Sequence, residues 1–138
     1  MIVSHIIGGL GNQMFQYAAG RAVSIKSGQP LLLDLSDFTD YRLHHGFELS
    51  NVFNLIAGKA EASTVRGMLG WRANRLVRKV LRRSQFIWLR GSKYVVEPYF
   101  NYWPNITKLT GDCYLSGYWQ SERYFKPIED VIRREFTF

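Results

Sequence analysis

The chain has 138 residues, a mass of 16.1 kDa and a net charge of +7, with 46% hydrophobic and 21% charged residues. That is the size and balance of one domain with its own core rather than a disordered chain. No apolar run approaches the ~20 residues of a membrane-spanning helix, Ile2–Ile7 is too short for the apolar part of a signal peptide, and a single cysteine, Cys113, rules out a disulfide framework or a multi-cysteine zinc site. A soluble protein of a reducing compartment follows as the expectation, with the sequon Asn105-Ile106-Thr107 unused.

Ile2-Val3-Ser4-His5-Ile6-Ile7 is almost continuously apolar, the pattern of a strand buried on both faces of a parallel sheet. Gly8-Gly9-Leu10-Gly11 ends it abruptly. From Asn12 to about Ser27 the period is helical, with Met14, Ala18, Ala22 and Ile25 on one stripe. Ala18, Ala19 and Ala22 are small enough to let that helix lie close on a sheet. Gly28 and Pro30 stop it, and Leu31-Leu32-Leu33-Asp34-Leu35 predicts a second buried strand. Strand, glycine turn, helix and strand within ~35 residues make a βαβ unit.

Residues 36–58 carry no clear period, and 60–83 predict one or two helices broken around Gly67 and Gly70. The charge excess lies here. Residues 61–93 hold nine cations against Glu61 alone, whereas 1–60 and 94–138 are close to neutral. Arg72, Arg75, Arg78, Lys79, Arg82 and Arg83, interleaved with Trp71, Leu76, Val77, Val80 and Leu81, predict a basic amphipathic helix. Such a helix suits an anionic membrane surface or an acidic partner, or is simply a solvated face. No nucleic-acid motif accompanies it, so no nucleic acid is expected as a partner. Short extended pieces are expected at Phe86–Leu89 and Tyr94–Val96, and another strand at Asp112–Tyr118. Pro127 fits the first position of a last helix, with Glu129 and Asp130 in its first turn, Arg133 and Arg134 near its end, and Ile128, Val131 and Ile132 as its buried face. The fold class is α/β.

A glycine turn between a buried strand and a helix start offers free amides and the positive end of the helix dipole to an anion or a hydroxyl-rich ligand. Asn12 and Gln13 would add polar side chains at that mouth. Gly9-Leu10-Gly11, with Asp34 23 residues beyond Gly11, matches part of a dinucleotide-binding fingerprint. Its third glycine position, however, is Met14, and no Gly-Lys-Ser/Thr follows to make a Walker loop. A ligand loop and a purely structural turn both stay open. Ten of the 21 aromatic residues fall within 94–125, and aromatic faces beside polar groups suit sugar rings. Most of these are expected in the core. Gly117-Tyr118-Trp119-Gln120-Ser121-Glu122 is the exception, where a strand ends and polar residues gather at the edge that binds ligands in open α/β sheets. His5 reads as a core histidine, His44-His45 as surface loop residues, and Cys113 as a buried strand residue. No zinc spacing or Ser-His-Asp arrangement is visible.

Residues 6–22, IIGGLGNQMFQYAAGRA, closely resemble the N-terminal signature of the bacterial α-1,2-fucosyltransferase family. GQPLLLDLSDF (28–38) is similar to that family's second strand, and YLSGYWQSERYFKPIEDVIRREFTF (114–138) to the segment before its donor-binding half, while 55–95 matches little. The resemblance implies a Rossmann-like parallel sheet flanked by helices, the N-terminal half of a two-domain glycosyltransferase of the B architecture. A single domain over 1–138 with a basic helical insertion at about 60–90 would then be expected. The implied reaction is inverting transfer of L-fucose from GDP-fucose to the 2-hydroxyl of a galactose-type glycan acceptor, with no metal and no further cofactor. The resemblance places Gly9, Gly11, Asn12 and Gln13 at the cleft between the halves, with Tyr118, Gln120 and Ser121 added by position as rim residues.

The family's His-x-Arg-Arg donor motif is missing. The pairs Arg82-Arg83 and Arg133-Arg134 are preceded, two positions before, by Val80 and Val131. The chain ends about where the donor half would begin, so the isolated chain is expected to have little transferase activity. Asn12, Asp34 and Asp37 are the catalytic candidates, Asp34 and Asp37 as the base. The expected location is cytoplasmic, with the basic segment touching the inner face of the cytoplasmic membrane. A non-catalytic sugar- or nucleotide-binding module is the alternative, and an oxidoreductase fragment is disfavoured by Met14.

Overall fold

The computed structural model describes residues 1–38, 47–53, 55 and 57–137; His44 and His45 lie outside the described residues. The opening βαβ unit forms as its pattern predicts: β1 (Ile2–His5), α1 (Leu10–Ser27) and β2 (Leu31–Asp34), with β1 and β2 parallel and His5 opposite Asp34. A short helix α2 (Leu49–Val52) and a two-residue strand β3 (Gly58–Lys59) follow, then helices α3 (Ala62–Leu69) and α4 (Arg75–Leu81). Strands β4 (Tyr94–Val96) and β5 (Cys113–Ser116) and helix α5 (Glu129–Glu135) complete the chain.

All five strands are parallel, in the order β3-β2-β1-β5-β4. The protein is therefore α/β and Rossmann-like. The chain walks from β1 toward β3 on one side and places β4 and β5 on the other, so the order reverses between β1 and β5. Side chains alternate across the sheet. Ile2, Leu31, Leu33, Cys113 and Leu115 face the layer that contains α1, whereas Val3, Tyr114 and Tyr94 face Val65, Leu69 and Leu81 of α3 and α4. The basic segment thus supplies the helical cover of one sheet face.

Helix α1 lies on the sheet through Gly20 more than through the alanines. A Cβ there would stand 3.0 Å from both Leu31 Cδ1 and Ser4 Cβ, a distance tighter than nearly all real contacts. Met14, at the third fingerprint position, packs against the core of that face. Helix α1 ends at Gly28 in the left-handed region (φ 68°). At the other end of the chain Pro127 is the second residue of a 3₁₀ turn, Lys126–Ile128, that runs into α5 at Glu129. The Glu135 carboxylate, buried, accepts from Tyr17 Oη at 2.7 Å and Arg21 Nε at 2.9 Å, fastening α5 to α1.

Two expectations are corrected. Residues Ser84–Leu89 form 3₁₀ turns rather than an extended piece. The basic segment is not one helix: Gly67 lies inside α3, and the break comes at Gly70 (φ 61°) and the 3₁₀ turn Gly70–Ala73. Asn74 then caps α4 by accepting from the amides of Leu76 and Val77. No helix among the described residues is long and apolar enough to cross a membrane.

Candidate functional site at the carboxyl edge of the sheet

Parallel strands share one carboxyl edge, and ligands of open α/β sheets bind outside it where the strand order reverses. Here that is the junction of β1 and β5. Gly8 leaves β1 at φ 83°, and Gly9 caps α1 without a side chain. A Cβ on Gly8 would come within 2.7 Å of Asn12 Nδ2, so only glycine fits that corner. A Cβ on Gly11 would meet nothing within 4 Å, so the first turn of α1 faces open space.

The structure brings the two sequence-predicted corners together. Gln120 Nε2 donates to Asn12 Oδ1. Beneath that pair Gln16, wholly buried, accepts from the amide of Ile7 at 3.0 Å and donates to the carbonyl of Gly117 at 3.2 Å. One side chain therefore holds the loops after β1 and β5 in register. Gln13 does not reach the mouth as expected. It is fully buried, donates to the Gly8 carbonyl at 2.9 Å and accepts from the Glu48 amide at 3.0 Å. Its role is to brace the turn. Ser121 caps the 3₁₀ turn Glu122–Tyr124 through the Arg123 amide, and Tyr118 is half-buried beside it.

Glu97, which follows β4, was not singled out by its sequence context. Its carboxylate accepts from the amides of Tyr118 at 3.1 Å and Trp119 at 2.9 Å. Gly117 permits this approach, since a Cβ there would lie 2.5 Å from Glu97 Cβ. Trp119 is held at φ 54°, in the left-handed region that an L residue occupies at a cost of roughly 1–2 kcal/mol. Its ring is wholly buried between Trp103 and Tyr124, and its indole N–H finds no acceptor among the described residues. The sequence signal was present only as a glycine before an aromatic pair.

Across the sheet, between the strand ends and α4, lies a cleft of about 520 Å³. His5, Asp37, Tyr114, Tyr94 and Ser116 form one wall and Arg75, Arg78, Lys79 and Arg82 the other. Asp34 is only 2% exposed and lies behind Arg78. It accepts from the Tyr114 hydroxyl, the Ser36 amide at 3.0 Å and Arg78 Nη1 at 3.2 Å. Burial alone would raise its pKa, but the Tyr114 and Ser36 hydrogen bonds and the nearby His5 outweigh it and hold the carboxyl below its ordinary value. Burial and the Asp34 charge push the Tyr114 phenol well up, so it remains a donor. Asp34 is therefore committed to this network and is a poor base, which corrects that expectation.

Asp37 Oδ2 lies 3.0 Å from His5 Nε2, and its Oδ1 lies 3.4 Å from Arg75 Nη2. The His5 hydrogen bond chiefly, with the charges of His5 and Arg75, holds the Asp37 carboxyl below its ordinary value against partial burial. Asp37 thus orients a histidine, the arrangement that makes an imidazole a general base. His5 is buried as the sequence implied, yet it also lines the cleft.

The basic residues do not form the single face that helical spacing suggested. Arg72 Nε donates to the Leu89 carbonyl at 2.6 Å, Arg75 pairs with Asp37, and Arg78 turns inward to Asp34. Arg90, one of the nine cations of the basic segment, is buried and closes the end of α4 through the carbonyls of Leu81, Arg82 and Arg83. Lys79 and Arg82 line the cleft, and Arg83 stays exposed. Among the described residues no group of three or more His, Cys, Asp or Glu could hold a metal. Cys113 is buried in β5, and burial pushes its thiol up to about 11.

A parallel sheet with a glycine turn, a braced switch point and a charged cleft at its carboxyl edge has the layout in which open α/β folds place their ligands. Comparison with known proteins finds similarity to a glycosyltransferase. The chain is 32% identical over 140 residues to an alpha-1,2-colitosyltransferase of Escherichia coli, an alignment that takes in 99% of this chain and 45% of that protein. The chain therefore spans less than half the length of the relative it matches. No family model and no solved structure matches it.

Proposed function

We propose that this chain forms the sheet-and-cleft half of an inverting glycosyltransferase of the α-1,2-fucosyl or α-1,2-colitosyl type. Such an enzyme would move a deoxyhexose from its GDP-sugar to the 2-hydroxyl of a galactose-type acceptor. The carrying observation is the 32% identity along 99% of the chain. The geometry supports it: the residues that resemble the family signature build the switch-point corner, and a His5–Asp37 pair lies at the same carboxyl edge, across the sheet in the cleft under α4. In this reading the acceptor's 2-hydroxyl gives a proton to His5 as Asp37 steadies the imidazole, and Asn12, Gln120 and Tyr118 form the rim at the switch point. Departure of GDP needs cations on its phosphates. The missing His-x-Arg-Arg motif leaves that task to a second half, so the isolated chain has little activity. The enzyme works in the cytoplasm, against the membrane face that presents its acceptor.

The test is a chimera in which this chain replaces the matching segment of the E. coli relative. Supplied with GDP-fucose or GDP-colitose and a β-galactoside, it should form an α-1,2 linkage. His5→Gln in the chimera should lower kcat by about 10²–10⁴-fold, the usual worth of a general base, with KM little changed. A folded chimera that binds no galactoside and transfers neither sugar would refute the reading.

A further inference from the structure

We propose that the cleft between α4 and the strand ends is a binding site for a phosphoryl dianion, a diphosphate or a phosphomonoester. The argument starts from charge. Four cations, Arg75, Arg78, Lys79 and Arg82, line a cleft of about 520 Å³. Two carboxylates answer them, Asp34 at Arg78 and Asp37 at Arg75. Among the described residues Lys79 and Arg82 have no carboxylate partner. The site therefore carries an excess of two positive charges, one turn apart on one side of α4.

Geometry makes this more than a solvated basic face. Arg78 is anchored from behind by Asp34 and Tyr114, so one guanidinium is fixed in place before any ligand arrives. Its Nε is buried with no acceptor among the described residues. Arg90 ties off the last carbonyls of α4, which keeps their negative dipole end from competing with an anion. Tyr94 and Ser116 line the cleft with hydroxyls, and Tyr94 Oη donates to the Arg78 carbonyl at 3.3 Å, a second tie on the residue that carries the fixed guanidinium. A preorganised cation flanked by two unpaired ones, inside a concave polar cleft, matches the charge of a phosphate dianion better than that of a monoanionic carboxylate. The inference stands apart from the sugar-transfer reading, because anion binding is measured with neither donor nor acceptor present.

The test uses the 138-residue chain and inorganic pyrophosphate, followed by calorimetry at low salt. Pyrophosphate should bind, and Lys79→Ala/Arg82→Ala should weaken it by about a hundredfold, roughly tenfold for each charged contact. Lys108→Ala/Arg134→Ala removes the same charge at exposed positions away from the cleft and should change affinity by less than about threefold. Circular dichroism confirms that both double variants are folded. Two further probes tell the sources apart. GDP that competes with pyrophosphate marks a soluble nucleotide ligand, whereas pyrophosphate-reversible binding to vesicles carrying a phosphomonoester lipid, and not to phosphatidylserine vesicles of equal charge, marks a lipid-borne phosphate. Either result supports the site. The absence of pyrophosphate binding, an equal loss in the two double variants, or tighter binding of glucuronate than of pyrophosphate overturns it.

Discussion

Asp34→Asn tests whether the charge network at the carboxyl edge is built as described. In the folded chain Asp34 is only 2% exposed and meets Arg78, which is itself mostly buried, at 3.2 Å. Removing one member of a buried pair leaves the other uncompensated, at about 3–5 kcal/mol. Asparagine keeps the size of the side chain and one oxygen that can still accept from Tyr114, so the loss should fall near the lower end, about 3 kcal/mol. For a chain of this length that lowers Tm by roughly 10 °C and the urea midpoint by roughly 1–2 M, with the m-value unchanged. The reasoning also says how to restore stability. Asp34→Leu with Arg78→Met removes both charges but leaves the buried Tyr114 hydroxyl and the part-buried Ser36 amide without their acceptor, the hydroxyl alone a deficit of about 1–3 kcal/mol. Adding Tyr114→Phe should remove the hydroxyl's share and raise the midpoint above that of Asp34→Asn, with the Ser36 amide as the remaining deficit. An Asp34→Asn variant that loses less than about 1 kcal/mol, or a triple variant as unstable as the single one, refutes the argument.

Gly117→Ala should cost about 1–3 kcal/mol in urea unfolding, because its new methyl meets Glu97 Cβ at 2.5 Å; an unchanged midpoint would show that Glu97 yields freely. Gln16→Leu strands the buried Ile7 amide and Gly117 carbonyl and should cost about 1–3 kcal/mol, with faster hydrogen exchange confined to the loops after β1 and β5. Asp34 and Asp37 both sit below their ordinary value near 3.8 in the folded chain, so the unfolded chain binds more protons in acid. Their contribution is full above that value and fades as pH falls through the folded pKa. The unfolding midpoint should drop between about pH 5 and 3, and the drop should shrink in Asp34→Asn. Cys113, with its thiol raised to about 11 by burial, should react with iodoacetamide at pH 8 at least about a hundredfold more slowly than in urea.

The fold class and the opening βαβ unit were legible because their signal is local. The apolar run of β1, the glycine turn and the helical period of α1 each declare themselves within a few residues. The switch-point corner was legible for the same reason. What escaped the sequence depends on partners distant along the chain. Glu97 looks like any surface glutamate until β4 brings it under the loop after β5. Gln13 and Asn12 are neighbours of similar chemistry, yet one turns into the core and the other toward Gln120, because successive residues on a helix point about 100° apart. The basic segment misled because charge counts do not say which arginines turn inward. Arg78 and Arg90 do, since the buried Asp34 and the bare carbonyls at the end of α4 give their charges an answer.

The distribution of buried polar groups carries a functional argument of its own. Of the nine buried polar residues among the described residues, five (His5, Gln13, Gln16, Asp34 and Ser116) lie at or beyond the carboxyl ends of β1, β2 and β5, and Ser4, Ser24, Arg90 and Glu135 lie elsewhere. Each buried polar group costs free energy unless its hydrogen bonds are made, and apolar residues would serve stability as well or better. The opposite ends of the same strands are held by Ile2, Leu31 and Cys113, which follow the cheaper rule. An edge that keeps an ion pair, a histidine–aspartate pair and two buried glutamines is rigid in the way a binding site must be, with its dipoles oriented before a ligand arrives. The same edge holds Trp119 in a strained backbone conformation. Strain and the larger share of polar burial on one edge of a sheet are what a ligand site there requires, and they fit the function proposed above.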